Sequence, residues 1–211
     1  MIGVALTVGR VKLAWVMHRY ELVAACLDGH RRVLDTIDRV NDDELTYPSL
    51  LPGWSRADVI AWLALKSQSH SHLFGGPAAG EVRSQFPEGY EQAEMIRGEI
   101  VRGATHLRSI LAVSFSDLEE AWARLPDGLW DSEGVTSAGR RSMTDIVARH
   151  LRDVEVHHVD LGAGYSIVDW PVQFVDTEFT KRLRDLGGRA ERAALLAWLL
   201  GRGPAPELGP W

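Results

Sequence analysis

Apolar residues return every three to four positions through four long stretches of this chain, the period of an amphipathic helix. Over residues 21–40 the repeat is Val23, Leu27, His30, Leu34 and Ile37, and it stops at Asn41-Asp42-Asp43. A turn-rich connection follows, Tyr47 to Trp54, with two prolines and a glycine. Ser55 and Asp58 form a capping pair that opens a second helix. That helix carries Val59, Trp62, Leu63, Lys66, His70 and Leu73, and Gly75-Gly76-Pro77 is expected to end it. Residues 75–89 read as a long loop. A third helical pattern spans 90–125, in one piece or two, and 131–141 suits a short hairpin or a loop. Ser142 and Asp145 open a fourth helix, which runs to Leu161 with Gly162 as its cap. Four such segments predict a mostly α protein built as a four-helix bundle. Two further helices are expected at 172–186 and 189–200.

Composition narrows the function classes. With 45% hydrophobic and 25% charged residues, the chain resembles an ordinary globular protein, not a disordered one. A net charge of -6 argues against a nucleic-acid footprint, so no nucleic-acid partner is expected. Cys26 stands alone, which excludes an internal disulfide, and its apolar surroundings suggest a buried small hydrophobe. Residues 1–20 are mildly apolar but broken by Arg10, Lys12, His18 and Arg19. Neither a membrane span nor a signal peptide is expected there, and a soluble cytoplasmic protein without a membrane partner follows. Most of the eight tryptophans are expected in the core, with a few left for a pocket.

The fourth helix carries the candidate chemistry. Val147, Leu151, Val154 and Leu161 form an apolar stripe. Beside it, Ile146, His150, Asp153 and His157 form a stripe that is polar where a core should be apolar. Asp153 and His157, four residues apart, point the same way. They suit a pair of metal ligands or a proton-transfer pair; a solvated helix face is the plain alternative. His158 falls on the apolar stripe and should pack or cap. His70 and His72, near the end of the second helix, are read as exposed.

Four segments carry a family resemblance in order from about residue 21 to residue 203. Pro48-Ser49-Leu50-Leu51-Pro52-Gly53-Trp54-Ser55-Arg56 and Arg152-Asp153-Val154-Glu155-Val156-His157-His158-Val159-Asp160-Leu161-Gly162 are similar to signatures of the mycothiol-dependent maleylpyruvate isomerases. Trp170-Pro171 and Leu196-Ala197-Trp198-Leu199-Leu200-Gly201-Arg202 also resemble family segments. The resemblance implies a DinB-like four-helix bundle over 21–165, an N-terminal extension over 1–20 and a shortened helical appendage over 166–211. It also implies a divalent metal, usually zinc, on two histidines and a carboxylate, with the thiol mycothiol at the open position. The metal would deprotonate the thiol, which adds to an electron-poor double bond or displaces a leaving group.

Carried over by position, the ligands Asp153 and His157 match, with aspartate replacing the family's usual glutamate. The remaining histidine position is Trp62, whose indole N–H cannot ligate zinc. The set is therefore incomplete, and a metal-free site is expected, with Asp153 and His157 as catalytic acid and base and Trp62 as a substrate-binding wall. Arg202 matches an arginine that would hold an acidic substrate. The leading reading is an isomerase or thiol transferase for an unsaturated or activated small molecule in a specialised biosynthetic pathway. The alternative is a non-catalytic bundle that binds a small molecule or a partner through a degenerate site. A homodimer is left open, since bundles offer helical faces for one.

Overall fold

The computed structural model describes residues 17–208, so most of the expected N-terminal extension lies outside the described residues. The chain is mostly helical. His18–Trp170 form one compact unit, and the described residues from Pro171 onward belong to a second.

In the first unit, α1 (Arg19–Asp38), α2 (Arg56–Ala78), α4 (Ala104–Arg124) and α5 (Met143–Asp160) make the bundle. A short α3 (Gln92–Ile100) precedes α4, and Gly103, at φ +92°, turns the chain between them. Strands β1 (Glu133–Thr136) and β2 (Gly139–Ser142) form an antiparallel hairpin that leads into α5. Packing joins α2 to α4 and α5, and α1 to α5 and α4. Ile37, Ile60, Leu63, Leu107, Leu111 and Phe115 fill the centre. Most of α2 is buried, from Ala57 to Pro77. A helix covered on so many sides can aim polar groups inward only where partners meet them.

Ser55 caps α2 by the reciprocal bonds expected with Asp58. The helix does not stop at Gly75 but continues through Pro77 to Ala78. Pro77 has no N–H to give the Leu73 carbonyl, so the last turn forgoes one helical bond. Glycine at 76 is required there: a Cβ would lie 2.8 Å from the Glu81 carbonyl oxygen, whose residue donates its own N–H to Gly76. Gly80, at φ +71°, then reverses the chain.

The two longest signature segments prove to be neighbours. Leu50 N–H donates to the Asp160 carbonyl at 2.7 Å, and Arg56 donates to the carbonyls of Leu161 and Gly162. A guanidinium at these otherwise unpaired carbonyls suits the negative end of α5. Across the bundle, α1 meets α5 at Gly29, where a Cβ would come within 3.0 Å of Val154. Next to that contact, the fully buried Glu155 accepts from Arg32 at 2.5 Å and from the Tyr165 hydroxyl at 2.6 Å. Cys26 is also fully buried, which pushes its thiol well above the usual range and fits a packing role.

The C-terminal unit holds α6 (Val172–Leu186) and α7 (Arg192–Leu199). The last helix begins at Arg192 instead of Arg189, because the Glu191 carboxylate accepts from Ala194 N–H and caps it there. Trp122 and Trp130 are buried, whereas Trp54, Trp62 and Trp170 are half-buried and Trp198 is exposed. Among the described tryptophans, Trp54 and Trp62 pack against the edge of the core. No described helix is long and apolar enough to cross a membrane.

Candidate active site between α2 and α5

Trp62, Lys66 and His70 recur every fourth residue on α2, so their side chains share one face. His150, Asp153 and His157, three and then four residues apart, likewise share a face of α5. The two faces meet as a ladder of three rungs. Trp62 and His157 stack obliquely with ring centres 4.3 Å apart. One turn further along α2, Lys66 Nζ stands 4.0 Å from Asp153 Oδ2. At the third rung, His70 Nδ1 lies 3.2 Å from His150 Nδ1.

The first rung is the more open. His157 Nδ1–H donates to Asp160 Oδ2 at 2.8 Å, which leaves Nε2 as the acceptor beside the indole. The carboxylate that orients His157 is thus Asp160 and not Asp153, as the spacing suggested. Asp153 turns the other way, towards Lys66 and towards Arg152 at 3.3 Å. The reason is charge: a buried carboxylate gains more from two cations than from one imidazole. Lys66 is buried beside it, and loss of hydration lowers its ammonium's pKa against the opposing pull of Asp153. The ring of Phe86 lies 5.7 Å from Lys66 Nζ. Phe86 also lines an open groove of about 620 Å³ with Leu65, Tyr90 and Met95 on one hand and His72, Glu81 and Arg83 on the other.

The residues do not fit a divalent metal at the family position. Trp62 offers no lone pair there. The Asp153 carboxylate already faces an ammonium and a guanidinium. Two unit charges 4 Å apart interact by ~4 kcal/mol at an effective dielectric constant of 20. A dication beside Asp153 would meet Lys66 with a repulsion of that order or larger. Among the described residues no group of three or more His, Cys, Asp or Glu could hold a metal ion.

The third rung corrects the reading of His70 as an exposed helix end. His70 is fully buried, whereas His72 is exposed. His30 from α1 does not reach Asp153 either. Its Nε2 lies 2.7 Å from His150 Nε2, and its Nδ1 donates to Glu119 Oε1 of α4 at 2.7 Å. Burial, as the leading cause, lowers the pKa of all three rings and holds them neutral. His158 is also buried, stacked on Tyr165 at 3.7 Å, and burial lowers it to about 4.

These four neutral histidines set an acid limit on stability. Once unfolded, each regains an ordinary value near 6.5, so below that pH the unfolded chain binds more protons than the folded one. Stability is therefore expected to be full above pH 7 and to fall as pH drops from 6.5 towards 4. The slope approaches about 1.4 kcal/mol per pH unit for each histidine that titrates only when unfolded. Urea denaturation at pH 7.5, 6 and 5 measures it; a flat midpoint over that range would contradict the neutral assignment.

Arg202 belongs to the C-terminal unit, where it follows α7 with its backbone N–H bonded to the Ala197 carbonyl at 2.7 Å and its side chain exposed. Lys66 and Asp160, which the sequence did not single out, join the candidate residues through their contacts with Asp153 and His157. The signal for Lys66 was present, because a charged residue at i+4 from Trp62 on a buried helix needs a partner.

Nothing among curated proteins matches the chain. The crystal structure of the mycothiol-dependent maleylpyruvate isomerase matches with a TM-score of 0.73 at 24% identity, covering 76% of this chain and 68% of that one. A His-to-Ala variant of that enzyme matches equally. At that identity the likeness establishes a shared, mostly α, DinB-like fold. The family model described as the mycothiol maleylpyruvate isomerase N-terminal domain matches residues 26–162, more than half of the chain. This protein therefore belongs to the mycothiol maleylpyruvate isomerase N-terminal domain family.

Proposed function

We propose that this protein is a thiol-dependent isomerase or S-transferase, using mycothiol on an unsaturated or activated small molecule in a specialised biosynthetic pathway, without a divalent metal. The observation that carries the reading is the buried Lys66 ammonium facing Asp153 beside the Trp62–His157 pair. It supplies a fixed positive charge where the family's metal would act.

In this reading His157 Nε2 takes the thiol proton, and Asp160 holds the resulting imidazolium. Sulfur then bonds to the electron-poor carbon. In isomerisation the double bond opens to a carbanion or enolate stabilised by Lys66, rotates, and re-forms as the C–S bond breaks and sulfur recovers the proton. In transfer the leaving group departs with its electron pair and the C–S bond remains. Lys66 contributes because it is already oriented and poorly hydrated, so little reorganisation is needed as charge develops. The indole wall beside His157 suits a small, partly apolar substrate.

The test uses chelator-treated protein. Purified without added metal, it is expected to carry far less than one equivalent of zinc by elemental analysis. It should still bind mycothiol in a calorimetric titration and consume it with a model electrophile. Chelator-resistant stoichiometric zinc, or activity only after zinc is restored, would overturn the metal-free reading. Mycothiol binding absent both with and without metal would favour the non-catalytic alternative.

A further inference from the structure

The third rung continues beyond the proposed site as a chain of hydrogen bonds across the whole bundle. Each helix contributes one member: Glu119 from α4, His30 from α1, His150 from α5 and His70 from α2. The carboxylate fixes the direction of every bond. Glu119 can only accept, so His30 carries its proton on Nδ1 and its Nε2 accepts. His150 must then donate from Nε2, which leaves its Nδ1 to accept from His70 Nδ1–H. His70 Nε2 ends as an acceptor, and it is buried with no hydrogen-bond partner. The other end opens outward, since the Glu119 side chain is 35% exposed while His30 is 1% exposed. Phe115 stacks on His30 at 3.8 Å and nearly parallel, which holds that ring in line.

Three neutral imidazoles in a row are a costly way to fill a core that leucine could fill, and the orphaned acceptor adds to the cost. The arrangement also differs from a metal site. His150 uses opposite nitrogens for its two neighbours, so the donors run in sequence and do not converge on one point.

We infer that Glu119, His30, His150 and His70 form a proton relay through the bundle, from a buried acceptor at His70 Nε2 to solvent at Glu119. The transfer balances at each link. A proton arrives at His70 Nε2, and His70 releases its Nδ1 proton to His150 Nδ1. His150 releases its Nε2 proton to His30 Nε2, and His30 releases its Nδ1 proton to the Glu119 carboxylate. One proton enters, one leaves, and all three tautomers are reversed; a second passage in the same direction requires each ring to turn over about its Cβ–Cγ bond. The charged groups near the inner end are Lys66 on α2 and Arg149 and Arg152 on α5, all of which disfavour a resting charge on His70. Glu119 favours charge on His30 at the outer end. A proton at the inner end is therefore drawn outward. The relay stands on the hydrogen bonds alone. No hydrogen bond joins His157 to His70, so the relay is separate from the thiol chemistry.

Histidine side-chain nitrogen NMR on the full chain tests the relay without any substrate. The parent should show N–H on His30 Nδ1, His150 Nε2 and His70 Nδ1 at neutral pH. Glu119→Gln keeps an acceptor of the same shape but takes up no proton. It should preserve the tautomers while slowing exchange of the three imidazole protons with solvent by about tenfold or more. His150→Gln should slow exchange at His70 and spare His30. Unchanged exchange in Glu119→Gln would reduce the chain to a structural network. Different tautomers in the parent would remove the stated polarity. One equivalent of tightly held metal, lost in His70→Ala, would make these rings ligands instead. None of these results depends on mycothiol, so failure here and failure of the proposed function are separable.

Discussion

Lys66→Met is expected to lower the thiol-dependent rate about 100- to 1,000-fold, as loss of one preorganised charge-stabilising donor does elsewhere. The side chain stands 4.0 Å from Asp153, so its role is electrostatic and methionine's similar length preserves the packing. Asp153 keeps Arg152 as a partner in the variant, which prevents an isolated buried charge. The fold should therefore survive, and the thermal midpoint together with the far-ultraviolet spectrum checks this. The loss should fall on kcat more than on KM, because the charge acts on the developing anion. A variant with the parent's rate and intact structure would make Lys66 a structural cation and remove the observation on which the proposed function rests. Should Lys66→Met fail to fold, Lys66→Gln offers a polar replacement and the same readout.

The second large effect is the recovery of a metal site. Trp62→His combined with Lys66→Leu should raise zinc affinity by orders of magnitude over the parent, because it adds a third protein ligand and removes the competing ammonium. Trp62→His alone should gain far less, since Lys66 still faces Asp153. The contact between Trp62 and His157 places the new imidazole beside the His157 ring. Zinc titrations of the parent, the single and the double variant separate these cases. Equal, weak binding in all three would mean that aspartate is too short to reach the metal. A further Asp153→Glu change tests that directly. Zinc bound equally well by the single and double variants would show that the ammonium does not oppose a dication there.

Local signals made much of the bundle legible. The capping pairs Ser55–Asp58 and Ser142–Asp145 mark helix starts through bonds within four residues, and both starts are where the sequence puts them. The four helical stretches show their period because each must bury one face. Asp153 and His157 stood out for the same reason, as polar groups where a core should be apolar. The end of α2 was less legible, because glycine and proline there usually stop a helix. Only the approach of the Glu81 backbone shows why they do not.

What the sequence by itself determined is the set of faces: Trp62, Lys66 and His70 along one helix, His150, Asp153 and His157 along another. Periodicity decides that much, since it is a property of a single helix. Which face meets which is decided by tertiary packing, and so is the register between helices. One turn of slip would change every rung. The packing sets Lys66 against Asp153, leaves His157 to Asp160, and brings His30 of α1 onto His150 and Glu119 of α4 onto His30. The hydrogen-bonded pairs of the third rung are separated by 80 to 120 positions, so no local pattern connects them; only the His157–Asp160 pair is local. Burial then assigns the chemistry, because the same imidazole that would be a solvated switch on a surface is held neutral and directional inside the bundle.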